Sequence, residues 1–569
     1  MHLVQRSIYS RTVGPLVLTA GLAVLGTALL APMPDRDTTR SVIVQGHDLA
    51  AVKAAVESAG GDVTHELGVI RAVSAMLTSA QQDALRSSAA VRHLYDNRRV
   101  ETARATAIKI NKTSEINVEP IEPVVSETGH VTGVDAHQLH AENITGAGVT
   151  LAVLDTGFFN QNSLSRDTRQ KSRILAQYDA LADAQLYTWD ETDSSGHGAH
   201  VAGIGLNSEL SRENRQYRGV APDASLVVVR AFDANGSGSY ADVIRGIDWL
   251  VANRDTHDIR VLNLSFSAPP HSHYWDDPLN QAVMAAWDAG IVVVASAGNT
   301  GPEPMTIGVP GNVPYVITVG AMTDNYTWDD TADDMLTSFS AAGPTHEGFV
   351  KPEVVAPGGH VVAPMSDKSR IALEHPEFYD DSFYFVMSGT SQSAAVVSGV
   401  AALMLQADPS LSPDDIKCRL MASTRAAVSA DGGHAYGILQ QGAGLVNAYD
   451  AVYSTETGCA NRGLDIAADL AGERHYAGPV RTDADGNFYI EGPDGTLYSG
   501  SFLWSDSFLW SDSFLWSDSF LWSDSFLWSD SFLWSDSFLW SDSFLWSDSF
   551  LWSDALTETV DINVWVEQE

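Results

Sequence analysis

Val149-Thr150-Leu151-Ala152-Val153-Leu154-Asp155-Thr156-Gly157 is the stretch on which the fold turns. Its apolar run is too short for a helix of any length and too continuous for a strand with one wet face. A carboxylate and a glycine follow it directly. Comparable runs recur at 226–229, 261–264, 291–295 and 315–319, with helical stretches between them. Near-continuous Val, Ile and Leu runs suit strands covered on both faces. Strands alternating with helices give an α/β fold, here a doubly wound, mostly parallel sheet over residues 127–455. In such sheets ligands bind beyond the carboxyl ends of the strands. The residues that follow these runs are therefore the functional candidates.

Four of them carry chemistry. Asp155 ends the first run. His197 lies in Gly196-His197-Gly198-Ala199-His200-Val201-Ala202-Gly203, an imidazole opening a helix that glycines allow to pack closely. Asn299 closes Ala295-Ser296-Ala297-Gly298-Asn299 at a strand end. Ser391, in Ser388-Gly389-Thr390-Ser391, opens a long apolar helix over 391–405. A hydroxyl is a weak nucleophile until an adjacent base takes its proton. His197 is the candidate base and Asp155 the group that fixes its tautomer. Asn299, with the Ser391 backbone N–H at a helix start, is the candidate oxyanion donor. The residues alone leave alternatives: His200 as the base, and Ser388 or Ser393 as the nucleophile.

These motifs, in Asp…His…Ser order, resemble the subtilisin-like serine endopeptidases, peptidase family S8. The resemblance covers about residues 127–455. Gly219-Val220-Ala221-Pro222 is similar to the stretch before that family's substrate-binding edge, and Gly236-Ser237-Gly238 to the edge itself. Ser265-Phe266-Ser267, within Asn263-Leu264-Ser265-Phe266-Ser267, is similar to one wall of the S1 pocket, and Gly308 to its floor. Lys351-Pro352-Glu353-Val354-Val355-Ala356-Pro357-Gly358 is similar to the run leading to the nucleophile loop. A glycine at 308, with no Asp at the pocket positions, implies large apolar P1 side chains. The family usually has Thr at Ala199, and Met-Ala-x-Pro where Gln392-Ser393-Ala394-Ala395 stands; neither change removes a reacting group. The resemblance implies no catalytic cofactor and structural calcium with unassigned ligands. The substrates it implies are proteins or peptides.

Residues 41–100 resemble the family's inhibitory propeptide of I9 type, a small ferredoxin-like α/β domain. The expected elements are a strand at 41–44, a helix at 49–59 capped by Asp48, a strand or hairpin over 63–77, a second helix at 81–88 behind Thr78, and a strand at 91–95. Its own propeptide would then be the chain's intramolecular inhibitor, removed by cleavage within the polar linker 101–126.

Charge excludes one partner class. Lys and Arg number 33 against 72 Asp and Glu, a net charge of −39. Nucleic-acid affinity comes from Lys and Arg on phosphate, so no nucleic-acid partner is expected, and self-repulsion favours a soluble monomer. Two cysteines, Cys418 and Cys459, exclude a Cys-rich metal site. They stand as two thiols or as a disulfide worth roughly 3–4 kcal/mol in the chain-entropy model.

Arg6 and Arg11 precede the uncharged stretch 12–34. The reading is a secretory signal peptide, or a signal anchor leaving the catalytic domain outside the cytoplasm. Residues 456–500 carry turn signals at Asp485-Gly486 and Asp494-Gly495 and read as a small β-rich segment. Residues 501–554 are nine identical Ser-Phe-Leu-Trp-Ser-Asp repeats, and 555–569 end in an alternating strand pattern. The even period keeps strand register, so the repeat reads as a solenoid, as an aromatic array contacting carbohydrate or a cell surface, or as an expanded tail. The rival function is therefore a surface-binding or adhesive repeat protein whose protease domain mainly processes itself.

Overall fold

The computed structural model describes residues 38–100, 129–212, 214–327, 334–380, 382–427, 435–484, 486–491 and 497–499. The expectations for 1–34, 101–126, 501–554 and 555–569 lie outside the described residues. Among the described residues no helix is long and apolar enough to cross a membrane.

The first unit is an antiparallel four-stranded sheet with two helices. Its strands Arg40–Gly46, Asp62–Leu67, Ala72–Leu77 and Val91–Asp96 lie in the spatial order second, third, first, fourth. Asp48 caps the helix Leu49–Ser58, its carboxylate accepting from the Ala51 N–H at 2.8 Å. Thr78 and Gln81 form a capping box, so the second helix begins at once, as Ser79–Arg86 rather than at 81. The alternating stretch 63–77 is two strands joined through Arg71 at a left-handed φ of 55°. Val42, Val44, Val52, Val56, Val73, Ala75, Leu77 and Leu85 form the unit's own small core. Ile43, Leu67, Ile70 and Ala72 instead join the core of the large domain.

The large domain is built on a nine-stranded sheet. From one edge its order is Met335–Leu336, Ile317–Thr323, Val292–Ser296, Ile259–Leu264, Thr150–Asp155, Ser225–Arg230, Ile174–Asp179 and Ala184–Leu186, with Val354–Pro357 also pairing to Ile317–Thr323. Only the short edge strands, Met335–Leu336 and Ala184–Leu186, run antiparallel to their neighbours. Thr150–Asp155, Val292–Ser296 and Ile317–Thr323 are buried along their whole length, as a sheet covered by helices on both faces requires. The apolar run at 315–319 enters the ladder only at Ile317. The carbonyls of Pro314, Tyr315 and Val316 instead accept from the Lys417 ammonium at 2.7, 3.2 and 3.2 Å.

Past residue 455, the helix Ile466–Ala471 packs against the large domain. Its Asp469 carboxylate accepts from the hydroxyls of Tyr274 at 2.7 Å and Tyr315 at 2.9 Å. A three-stranded antiparallel sheet follows, Val480–Thr482, Phe488–Glu491 and Leu497–Ser499. Asp483 closes its first turn, accepting from Gly486 N–H at 3.1 Å through its carbonyl and from Asn487 N–H at 2.8 Å through its carboxylate. Cys418, on the helix Pro413–Ala422, is disulfide-bonded to Cys459.

Candidate active site

Asp155 ends the central strand, and its carboxylate Oδ1 lies 2.7 Å from His197 Nδ1 with neither residue exposed. An ionised carboxylate only accepts, so Nδ1 carries the proton and Nε2 keeps its lone pair. That Nε2 is buried without a hydrogen-bond partner. The Thr156 N–H also donates to Asp155 Oδ1, at 2.7 Å, and fixes the carboxylate's orientation.

The helix His197–Leu206 packs against the helix Thr390–Ala407, whose second residue is Ser391. The Ser391 hydroxyl is buried and donates to the Ser265 carbonyl at 3.1 Å. Ser265 Oγ in turn donates to the Ser391 carbonyl at 2.9 Å and accepts from Asn263 Nδ2 at 2.8 Å. Nucleophile–base hydrogen bonds are often unmade in a free enzyme and close with substrate bound. Ser391 N–H belongs to the first helical turn, where backbone donors have no helical carbonyl to meet.

Asn299 is oriented by its neighbours. Its Oδ1 accepts from Thr390 N–H at 3.0 Å and from Thr390 Oγ at 2.9 Å. Two donors on one atom identify that atom as the oxygen. The Nδ2 on the other side is buried with no partner. It is a pre-aimed donor beside the start of the serine helix. Gly298 makes the turn into Asn299 at φ 111°, and a Cβ there would stand 2.9 Å from Ser267 Oγ.

The remaining candidates divide. Gly308 lies against Ser267: a Cβ on it would fall 2.0 Å from Ser267 Oγ, so only glycine fits. Phe266 puts its ring in the core against Phe232. Gly236 and Ser237 form a turn held by Asp233, and Gly238 begins the edge strand Gly238–Ser239. The alternative base and nucleophiles are held elsewhere. His200 Nε2 lies 3.0 Å from the Phe385 carbonyl, and burial pushes its pKa down to about 3. Ser388 Oγ accepts from His360 N–H at 3.0 Å, and Ser393 Oγ donates to the Ala356 carbonyl at 3.0 Å. Thr390, which orients Asn299, is not among the candidates read from sequence; its place beside Ser391 is its only signal. Asp193 is not among them either. Its carboxylate meets the loop before His197, and its only sequence signal is its nearness to that histidine.

The edge strand is occupied by this chain itself. Val100 pairs antiparallel with Gly238, and Arg99 with Ser239. Tyr240 N–H donates to the Arg98 carbonyl at 3.2 Å, and Ala241 N–H to Asn97 Oδ1 at 3.0 Å. The first unit leads directly into this pairing. It is held to the large domain by His65 Nε2 at 3.0 Å from Asp242 and by Gly68 and Val69 N–H groups donating to Asp248. Among the described residues, no group of three or more His, Cys, Asp or Glu side chains is placed to hold a metal ion, so no calcium ligands are assigned.

An Asp–His pair at the carboxyl end of a doubly wound sheet, facing a serine helix and an oriented amide, defines a serine-type endopeptidase. Residues 146–444 match the Subtilase family, Peptidase S8, and the chain belongs to that family. It is 36% identical over 354 residues to serine protease AprX of Bacillus subtilis, covering 61% of this chain and 73% of that one. It is 31% identical over 293 residues to subtilisin DY of Bacillus licheniformis, covering 51% and 88%. The fold is similar to the crystal structure of fervidolysin from Fervidobacterium pennivorans, a keratinolytic enzyme related to subtilisin. That likeness has a TM-score of 0.56 and 22% identity, over 74% of this chain and 62% of that one. Enzymes of this family use no catalytic cofactor and act on protein or peptide substrates.

Proposed function

We propose that the chain is the zymogen of an exported serine endopeptidase that works through an acyl-enzyme. Ser391 Oγ attacks the scissile carbonyl as His197 Nε2 takes its proton. Asp155 holds the tautomer and stabilises the imidazolium. Asn299 Nδ2 and the Ser391 N–H receive the oxyanion. His197 then returns the proton to the leaving amine, and water hydrolyses the ester by the same steps.

The reading rests on the seating of Arg99–Val100 on Gly238–Ser239. A peptide substrate added as a strand to that edge would use the same backbone groups. The unit over 41–100 is then an intramolecular inhibitor, and its release opens the edge. Export follows from the sequence pattern of 1–34. The test is to express the chain and follow the molecular mass of the catalytic fragment and its hydrolysis of casein. Loss of residues 41–100 together with activity on added substrate supports the reading. Activity confined to self-cleavage favours the adhesive alternative.

Two results are expected at the site. Asn299→Ala lowers kcat by about 10²–10³ with little change in KM, a magnitude for which subtilisin itself is the reference case. The variant should still fold, because the Thr390 donors it strands lie beside the cleft. Gly308 and Ser267 bound an S1 pocket for large apolar side chains. Peptides with Phe at P1 are therefore cleaved with higher kcat/KM than peptides with Arg at P1. Equal values would remove that specificity.

A further inference from the structure

Asp193, partly buried in the loop four residues before His197, receives four hydrogen bonds. Its Oδ1 accepts from Thr156 Oγ at 2.8 Å, Ser195 N–H at 3.1 Å and Gly196 N–H at 2.8 Å, and its Oδ2 from Ala199 N–H at 2.7 Å. Thr156 Oγ in turn accepts from Gly198 N–H at 2.9 Å. Between them, Asp193 and Thr156 satisfy the first N–H groups of the helix that carries His197, which Gly196 cannot cap with a side chain. Thr156 is also the residue after Asp155. A single carboxylate thus ties the end of the Asp155 strand to the start of the His197 helix.

Every one of these contacts donates to the carboxylate, which is the pattern of an anion. Burial raises its pKa above the usual carboxylate value, the Asp155 charge adds to that, and the Gly196, Ala199 and Thr156 donors oppose it. His200, one turn along the helix, is neutral and held by the Phe385 carbonyl. Arg370, which opens the helix Arg370–Glu374, donates its backbone N–H to the Ser194 carbonyl at 2.9 Å, and its side chain engages Glu374 at 2.7 Å.

We propose that Asp193 is a positioning residue for the reaction: it sets the placement of His197 against Asp155 by tethering strand to helix. This rests on His197 being the base.

The test uses the mature enzyme and a soluble peptide substrate. Asp193→Asn should lower kcat by about 10²-fold, the cost of a small misplacement of reacting groups, with KM within about twofold. Asp193→Glu keeps the acceptor oxygens, one methylene farther out, and should recover part of the lost kcat. Unchanged kcat in Asp193→Asn overturns the proposal. So does a loss that appears in KM, or one matched by a fall in Tm, since that is what a purely structural residue gives. His197→Ala is run alongside: if it retains activity, the assignment of the base fails, whatever Asp193→Asn does.

Discussion

Ser391→Ala yields an inactive chain that keeps residues 41–100 attached. The expected fall in kcat is about 10⁶-fold, the scale found when subtilisin loses its nucleophile. The loss should be chemical rather than structural. Ser391 Oγ makes one hydrogen bond, to the Ser265 carbonyl, and a single hydrogen bond contributes only about 1 kcal/mol. The helix that carries it is anchored instead by its apolar length, buried from Thr390 to Leu405. The Ser265–Ser391 contact through Ser265 Oγ uses backbone on the serine side and survives the change. Wild-type Tm with no hydrolysis and an unshortened precursor is the expected result. A precursor that still loses residues 41–100 would mean that another nucleophile or another protease does the processing. Ser388 and Ser393 are poor substitutes, because both hydroxyls are already engaged away from His197.

Glu353→Gln should cost about 3–5 kcal/mol of stability, the usual scale for breaking a buried ion pair from one side. Glu353 Oε1 lies 2.7 Å from Lys351 Nζ and 2.8 Å from Lys417 Nζ, and all three residues are buried. Its other oxygen accepts from Thr318 N–H at 2.8 Å. One carboxylate therefore serves two lysine side chains at the entry of the strand Ile317–Thr323. Lys417 has further oxygens around it, the carbonyls of Pro314, Tyr315 and Val316 and Asn461 Oδ1 at 3.1 Å. Removing the anion leaves both lysines in a dry site without that carboxylate. The loss is a large part of the 5–15 kcal/mol that holds most domains folded, and Tm should fall by roughly 10 °C.

The deficit should depend on pH. Burial pushes Lys351 down to about 7 from 10.5, with Glu353 opposing and Lys417 adding to the shift. Between those values the unfolded chain binds more protons than the folded one, so this site's contribution to stability rises as pH climbs from 7 toward 10.5. In Glu353→Gln the ammonium form of Lys351 is costlier still, and raising the pH relieves it by deprotonation. The Tm difference between variant and wild type should therefore shrink from pH 7 to pH 10. A difference that is constant or grows over that range would show that the carboxylate, not the lysines, carries the strain.

Much of the site was legible in one dimension. A strand buried on both faces leaves a continuous apolar run, and the polar residue that ends it, Asp155, becomes the candidate. A helix start leaves glycine and a small polar residue before an apolar stretch, which marks His197 and Ser391 as candidates. The residue types of Ser265-Phe266-Ser267 do not say where the Phe266 side chain goes. Phe266 lies past the end of the strand Ile259–Leu264 and buries its ring in the core against Phe232.

What the sequence determined by itself is therefore the α/β class, the central strands, and the order of Asp155, His197, Asn299 and Ser391. These follow from patterns within about ten residues, where burial and backbone geometry constrain residue type directly. Only the tertiary structure decided which way Asn299 faces and that Asp193 braces the histidine helix. It alone seated Asn97–Val100 against Gly238–Ala241, with Asn97 and Ala241 144 positions apart. It alone gathered Lys351, Glu353 and Lys417 into one charge cluster, with Lys417 meeting a carbonyl 103 positions away. The physical reason is common to all of these. A polar side chain is chosen by the donor or acceptor it meets across space, and periodicity along the chain carries no record of that partner.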